Sequence, residues 1–182
     1  MSTPIRFSVL TISDRCANGT AGDKSGPALV QAVTKQLDAT CVDTALVPDE
    51  PEQIITALRA WVDQPWPADL LFTTGGTGLS PRDITPEATA QVIERRHDAL
   101  LELARMRCYR KTPLTYLSRG IAGAAKQSLI INLPGSPRGA VEMFEALADV
   151  LPHAIQTLHG QAKLPSQHQL PASAQAPDEN RA

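Results

Sequence analysis

The chain has 182 residues, a formal net charge of -2 and 42% hydrophobic residues, values typical of one soluble globular domain. This charge argues against non-specific nucleic-acid binding, and no apolar run reaches the about 20 residues that span a bilayer. The N-terminus has no signal-peptide pattern and the three cysteines form no C-x-x-C pair, so we expect a cytoplasmic protein without a disulfide framework or zinc knuckle.

Apolar residues that alternate or form short runs predict strands at 5–13, 41–47, 68–74 and 128–133. Helical spacing of apolar residues predicts a helix that begins at Pro51 and ends before Pro65, and further helices at 27–37, 86–95, 100–110 and 139–158, the last with a bend at Pro152. Residues 113–125 are predicted as a loop leading into a short helix. We expect residues 1–160 to form one domain and residues 161–182, which lack an apolar period, to form a disordered tail.

Strands that alternate with helices predict an α/β fold with a mainly parallel sheet covered on both faces. In such a sheet the carboxyl ends of the strands lie at one edge, where ligands bind. Polar or glycine-rich segments follow all four predicted strands. They are residues 13–15, 48–50, 75–83 and 132–137. We therefore expect these four segments to converge.

The glycine-rich segment 73–78, TTGGTG, follows a buried strand and brings backbone N–H groups together without side chains. An anion such as a phosphate can approach this surface. The segment matches neither the P-loop nor G-x-G-x-x-G, and a simple tight turn is the alternative.

Two aspartates, Asp49 and Asp83, follow predicted strand ends. Carboxylates without a histidine cluster suit Mg²⁺, which serves phosphoryl and nucleotidyl transfer. The alternatives are a helix cap for Asp49, a helix N-terminal charge for Asp83, and a plain turn for Asp14. A basic cluster at Arg105, Arg107, Arg110 and Lys111 fits either an anionic ligand or a solvated helix end.

Seven segments together resemble the MoaB/Mog family, which includes the molybdopterin adenylyltransferases and the G domain of gephyrin. They are ISDR (12–15), DKSGP (23–27), VPDE (47–50), TTGGTG (73–78), PRDITPEAT (81–89), LSR (117–119) and NLPGSP (132–137). Each is weak alone, but their order and spacing are specific. The VPDE and PRDITPEAT segments favour the adenylyltransferase branch.

The resemblance implies transfer of AMP from Mg-ATP to the terminal phosphate of molybdopterin, with release of pyrophosphate, ahead of molybdate insertion. It implies that Asp49 and Asp83 are the catalytic acids and position Mg²⁺. The nucleotide contacts that it implies are Gly75, Gly76, Thr77, Gly78, Asn132, Pro134 and Gly135. The molybdopterin contacts that it implies are Ser13, Asp14, Ser118 and Arg119. It further implies a three-layer α/β/α sandwich, a homotrimer, and handover of the product to a molybdate-inserting protein.

One segment departs from the family pattern. Asp98-Ala99 stands where relatives usually have Pro-Gly, which would let the preceding helix extend through this stretch and makes Glu102 a doubtful counterpart. Three alternatives stay open: a non-catalytic molybdopterin-binding protein of the same fold, another nucleotide-using enzyme such as the related domain of the competence-damage proteins, and a scaffold whose main role is assembly.

Overall fold

Strands and helices alternate along residues 4–161, the part of the chain that the computed structural model describes. The strands there are β1 (Ile5–Ile12), β2 (Ala39–Val47), β3 (Leu70–Thr74), β4 (Arg95–Arg96), β5 (Ala122–Ala125) and β6 (Ser128–Leu133). The helices are α1 (Asp14–Ala17), α2 (Ser25–Gln36), α3 (Pro51–Val62), α4 (Thr85–Ala90), α5 (Ala99–Cys108), α6 (Pro137–Glu145) and α7 (Leu151–Leu158), with a 3₁₀ helix at Pro113–Leu117. Apart from Gln161, the predicted tail 161–182 lies outside the described residues.

The strands form one sheet in the order β2-β1-β3-β6-β5-β4. β2, β1, β3 and β6 run parallel, whereas β5 and β4 are antiparallel to their neighbours. The prediction of a mainly parallel sheet is therefore confirmed. The chain moves from β1 to β2 on one side and returns to β3 on the other, so the strand order reverses between β1 and β3. Such a reversal is where open α/β sheets bind ligands.

Each face of the sheet has its own hydrophobic core, which makes the three layers. Along β1, Phe7 and Val9 belong to one core, whereas Leu10 and Ile12 belong to the other. The first core includes residues of α2, α5, α6 and α7, and the second includes residues of α3 and α4. This alternation is what a strand buried on both faces produces. The α/β/α sandwich is thus confirmed.

The predicted helix 86–95 is shorter in the structure, because α4 ends at Ala90 and β4 follows. The backbone N–H groups of Glu94 and His97 donate to carbonyl groups of β5 at 2.9 and 2.8 Å. Strand pairing therefore overrides the helical pattern of the sequence. α5 begins directly after Asp98, so the preceding helix does not extend through this stretch, contrary to expectation.

The predicted helix 139–158 consists of two helices, α6 and α7. Pro152 lies in the first turn of α7, where its missing N–H group costs no hydrogen bond, so it begins a helix rather than bending one. Arg107 Nη1 donates to Ala146 O at 2.7 Å, beyond the end of α6. Residues 113–125 form the 3₁₀ helix and then β5, a strand that the sequence analysis missed. Within the described range, no helix has both the length and the apolar character of a membrane span.

Candidate active site

A cavity of about 840 Å³ opens at the carboxyl ends of β1, β2, β3 and β6. All four predicted strand-end segments contribute to its wall, together with the residues that precede α2. The lining comprises residues 11–16, 21–25 and 135–137, together with Asp49, Gly75, Gly76 and Asp83. The expected convergence of strand ends is therefore what the structure shows. The cavity lies beside the reversal of strand order.

The glycine segment packs against β1 at distances that exclude side chains. Gly75 and Gly76 have φ values of 108° and 59°. A Cβ atom at Gly75 would lie 2.0 Å from Ile12 O, and one at Gly76 would lie 2.3 Å from Thr85 Oγ1 and 2.8 Å from Asp49 Oδ1. The Gly75 N–H group donates to Leu133 O at 3.3 Å, so this donor is already used. The segment brings backbone against the carboxylates, which a residue with a side chain could not do.

The carboxylates of Asp14 and Asp49 each accept a hydrogen bond from the backbone N–H group of the other residue. The Asp14 N–H group donates to Asp49 Oδ2 at 2.9 Å, and the Asp49 N–H group donates to Asp14 Oδ1 at 3.0 Å. Partial burial raises the pKa of Asp49, the Asp14 N–H group opposes this, and the negative charges of Asp14 and Asp83 raise it further. The three carboxylates therefore interact, and a bound cation would relieve their repulsion.

Arg82 forms ion pairs with two acids at the rim of the cavity, Asp14 and Glu50. Its Nε and Nη2 atoms donate to the two oxygens of Asp14, each at 3.0 Å, and Nη2 also donates to Glu50 Oε1 at 2.8 Å. These bonds to Glu50 and Asp14 raise the pKa of Arg82. By contrast, neither Asp49 nor Asp83 takes part in the ion pairs formed within residues 4–161. The carboxylates of Asp49 and Asp83 thus line the cavity without a basic partner among the described residues.

Neither Asp49 nor Asp83 is the residue that flanks a helix start, but Asp83 lies two residues before α4, so the alternative of a helix N-terminal charge stays open for it. Glu50 flanks the start of α3, and the Asp49 carboxylate accepts from the N–H group of Asp14, the first residue of α1. Ile84 flanks the start of α4, and Asp83 Oδ2 accepts from the Ser80 N–H group at 2.8 Å. The Asp83 carboxylate therefore stabilises the turn from Ser80 to Asp83.

Ser118 and Arg119 lie against the glycine segment and do not line the cavity. The Ser118 hydroxyl donates to Thr77 Oγ1 at 3.1 Å, and Arg119 Nε donates to Gly78 O at 2.7 Å. The Arg119 guanidinium also binds Glu87 and lowers the pKa of that carboxyl. These contacts hold the loop in place. The molybdopterin contacts that the family resemblance implied for both residues stay a prediction.

Asn132, one of the predicted nucleotide contacts, lies in the interior and does not line the main cavity. It is 0% exposed, and its Nδ2 group donates to Thr73 Oγ1 at 2.9 Å and to Thr89 Oγ1 at 3.0 Å. Its Oδ1 atom accepts from the Ile121 N–H group at 3.2 Å. These hydrogen bonds tie β6 to β3, to α4 and to the segment before β5, and the nucleotide contact of Asn132 stays a prediction.

The other predicted nucleotide contacts are divided. Gly75, Gly76 and Gly135 line the main cavity, whereas Pro134 lines a second one. Thr77 is only 4% exposed. Ser13 and Asp14, predicted as molybdopterin contacts, also line the main cavity, as do Asp49 and Asp83.

Two basic residues in the cavity wall escaped the sequence analysis. Arg15 and Lys24 both line the cavity and are exposed, and the ion pairs within the described residues include neither. A polyanionic ligand would need such charges beside the carboxylates. The available signal was their position, since Arg15 belongs to the predicted segment 13–15 and Lys24 belongs to the DKSGP segment of the family resemblance.

The carboxylates suit a cation that completes its coordination with a ligand. Within residues 4–161, no group of three or more histidine, cysteine, aspartate or glutamate side chains is placed to hold a metal ion. Mg²⁺ often uses only one or two carboxylates and takes its other ligands from water and substrate phosphates. Asp49 and Asp83 fit that donor set.

Comparison with known proteins gives consistent matches. Residues 8–153 match the family described as "Probable molybdopterin binding domain". The molybdopterin adenylyltransferase of Helicobacter pylori strain J99 is 38% identical over 157 residues, which cover 86% of this chain and 89% of the relative. The molybdopterin adenylyltransferase of Escherichia coli K12 is 36% identical over 169 residues, with 86% of each chain covered.

The molybdenum cofactor synthesis protein cinnamon of Drosophila melanogaster is 41% identical over 154 residues, but these cover 85% of this chain and 26% of that protein. The chain also spans only 24% of gephyrin from Dictyostelium discoideum, at 38% identity. The crystal structure of MoaB from Thermus thermophilus has a TM-score of 0.80 and 44% identity, and covers 86% of this chain and 97% of its own. The Mog protein of Mycobacterium ulcerans has a TM-score of 0.78 and 34% identity, and covers 88% and 100%.

Proposed function

This chain belongs to the molybdopterin-binding domain family, and we propose that it is a molybdopterin adenylyltransferase. It transfers AMP from ATP to the terminal phosphate of molybdopterin and releases pyrophosphate. Relatives that bear this name match most of the chain over most of their own length. The observation that carries the proposal is the pair Asp49 and Asp83, whose unpaired carboxylates face one cavity beside the glycine segment.

The reaction brings a phosphate nucleophile to a triphosphate, so its main obstacle is the repulsion between anions. Mg²⁺ bound with the triphosphate would neutralise part of this charge. Asp49 and Asp83 would hold the ion, and the backbone N–H group of Asp14 fixes one oxygen of Asp49. Arg15 and Lys24, which carry positive charge, would attract the phosphate groups. Catalysis here is positioning and charge compensation, with no nucleophile from the protein.

Gly75 and Gly76 determine how close the nucleotide comes to these carboxylates. Because Gly76 has no Cβ beside Asp49, phosphate oxygens can approach the main chain at this point. Arg119 and Ser118 support this arrangement through hydrogen bonds to Gly78 and Thr77.

A non-catalytic molybdopterin-binding protein is the principal alternative. The two unpaired carboxylates argue against it, because they would repel the terminal phosphate of molybdopterin unless a cation intervened. An activity assay decides between the two.

The test is incubation with ATP, Mg²⁺ and molybdopterin, followed by detection of adenylylated molybdopterin and pyrophosphate. Asp83→Asn should lower the rate of AMP transfer about a hundredfold or more while circular dichroism stays unchanged. Asp63→Asn is the matched control, because Asp63 is an exposed acid that pairs with Lys126 and lies after the far end of α3. Molybdopterin binding without pyrophosphate release by the native protein would establish the non-catalytic alternative.

We also propose a homotrimer, supported by apolar side chains exposed on α5 and the 3₁₀ helix. Met106, Tyr109, Tyr116 and Leu117 are 60%, 57%, 56% and 52% exposed. Exposed apolar groups in this number favour an interface between subunits. Sedimentation equilibrium measures the mass, and a monomer that retains full activity would refute the trimer.

The proposed setting is the cytoplasm, which supplies ATP and keeps thiols reduced. Cys16, Cys41 and Cys108 are free thiols, as a reducing compartment allows. The adenylylated product would pass to a molybdate-inserting protein.

A further inference from the structure

Two arginines of the basic cluster on α5 make different contacts, although they lie only two residues apart. Arg105 Nη2 donates to Ser118 O at 3.0 Å and to Gly120 O at 2.9 Å, in the segment that joins the 3₁₀ helix to β5. Arg107 instead donates to residues between α6 and α7. For both side chains, these contacts replace the anionic ligand and the solvated helix end that the sequence left open.

The two carbonyl groups that Arg105 binds accept no other hydrogen bond from residues 4–161. Gly120 is buried and Ser118 is partly buried. Loss of the guanidinium would therefore be costly, because a buried carbonyl group without a donor is unfavourable. Arg105 thus determines how residues 118–120 lie against the neighbouring loops.

The segment that Arg105 binds carries Arg119, which reaches the turn of a proposed catalytic acid. The Arg119 N–H group donates to Thr77 O at 2.8 Å, and its Nε group donates to Gly78 O at 2.7 Å. Its Nη2 group donates to the carbonyl oxygen of Asp83. Within residues 4–161, this is the one hydrogen bond from Asp83 to a residue beyond its own turn, because its others are to Ser80. Arg119 therefore fixes where Asp83 lies.

We propose that Arg105 is a positioning residue for AMP transfer, which acts through Arg119 to hold Asp83 beside Asp49. This inference rests on the proposed function. Arg105 does not line the main cavity, so its effect on the reaction must pass through these contacts. Groups that orient the ligands of a metal ion matter nearly as much as the ligands, and their loss typically lowers metal affinity or activity about 10–100-fold.

The test compares Arg105→Met with the matched control Arg107→Met. Methionine keeps part of the aliphatic stem and removes the N–H donors. Arg105→Met should lower kcat about tenfold or more and leave the KM for molybdopterin unchanged. Arg107→Met should lower Tm, because it also loses contacts between elements, but leave kcat unchanged. Arg105→Lys keeps N–H donors without the planar fork, so its kcat should lie between those of the native protein and Arg105→Met.

A second measurement needs no turnover. Thermal unfolding in the presence of ATP gives the Mg²⁺ concentration at which half of the ligand-induced rise in Tm is reached. This concentration should increase about tenfold in Arg105→Met and stay unchanged in Arg107→Met, because only the first change displaces Asp83. Absence of AMP transfer by the native protein would refute the proposed function, whereas the Mg²⁺ dependence of Tm would still test the role of Arg105.

A double variant tests whether Arg105 acts through Arg119. Arg105→Met combined with Arg119→Ala should be no slower than Arg119→Ala alone, whereas independent roles would give additive losses of kcat and overturn the inference. Native kcat in Arg105→Met, or an equal loss of kcat in Arg107→Met, would also overturn it. Should Arg105→Met fail to fold, native values of kcat and of the Mg²⁺ dependence in Arg105→Lys would have the same consequence.

Discussion

Replacing Asp49 by asparagine should raise the stability of the protein and abolish its activity, two effects of opposite sign. The asparagine side chain keeps an oxygen that can accept the Asp14 N–H group, so the contact between the two loops survives. What disappears is a charge that burial and two neighbouring carboxylates disfavour. A change that merely damaged the fold would lower stability and activity together.

The gain in stability is modest because Asp49 is only partly buried. Interactions between partly exposed charges contribute about 0.2–1 kcal/mol, which corresponds to a rise in Tm of about 1–3 °C for a chain of this length. The raised pKa means that the folded protein holds a proton more tightly than the unfolded chain. The penalty removed by Asp49→Asn is therefore fully present above the raised pKa and vanishes as the pH falls through it toward 3.8.

The assay is thermal unfolding at pH 7 and at pH 4, with and without Mg-ATP, beside the rate of AMP transfer. ATP at a hundredfold excess over its Kd should stabilise the native protein by about 2.7 kcal/mol, and most of this gain should disappear in Asp49→Asn. AMP transfer should fall about a hundredfold or more. A drop in Tm of more than about 3 °C without ligand, or AMP transfer at the native rate, would refute the reasoning.

Three further predictions test the loops around the cavity. Gly75→Ala should lower the free energy of unfolding, measured in guanidinium, by about 3 kcal/mol or more, because its Cβ would lie 2.0 Å from a backbone oxygen. Gly19→Ala is the control, and it should lower this free energy by only about 1 kcal/mol, because Gly19 has a φ of 77° but open space around it. Equal losses in the two variants would show that the close approach at Gly75 does not matter. Lys24→Ala should raise the KM for ATP about fivefold, measured at low salt, and leave Tm within about 2 °C; an unchanged KM would remove Lys24 from the site. Arg119→Ala should lower both Tm and kcat, since its guanidinium holds the glycine segment, and a change in the KM for molybdopterin alone would instead favour the direct contact that the family resemblance implies.

The central strands and the helices α2 and α3 could be predicted because their sequences follow one period throughout, whereas the one-turn α1 was not predicted. The helix that begins at Pro51 was predicted with the start that the structure shows, and the strand at 128–133 with both of its bounds. In both, buried apolar residues recur at the spacing of the element, and proline or glycine stands near an end. Local pattern and tertiary environment agree there.

The antiparallel edge of the sheet could not be predicted, because its strands have no pattern of their own. Ala122–Ala125 consists of alanine and glycine, which favour neither β-structure nor a period. Arg95–Arg96 is exposed and only two residues long. Both become strands only because β6 offers an edge that pairs with β5, which in turn pairs with β4. The assembled sheet, and not the local sequence, therefore determines that these residues form strands.

The residue types of the site were easier to predict than the direction in which each side chain points. Asn132 and Arg119 both belong to segments that reach the cavity region, yet one lies inside the sheet and the other behind the glycine segment. A motif indicates that a segment is near a site, but the alternation along a strand or the path of a loop decides which face a residue takes. Arg15 and Lys24 were missed for the converse reason, since nothing distinguishes a cavity-facing basic residue from a solvated one in sequence.

The acids at the rim of the main cavity form two pairs with different roles. Asp14 and Glu50 share Arg82, which offsets part of their negative charge, and Asp14 also binds Asp49 through backbone N–H groups. Asp49 and Asp83 have no such partner among the described residues, although Arg82 directly precedes Asp83 in the chain. If the acids served only to join the loops, pairing all of them with basic residues would be more stable than leaving two uncompensated. The unpaired pair is therefore best understood as the part of the site that a cation and a polyanionic substrate complete.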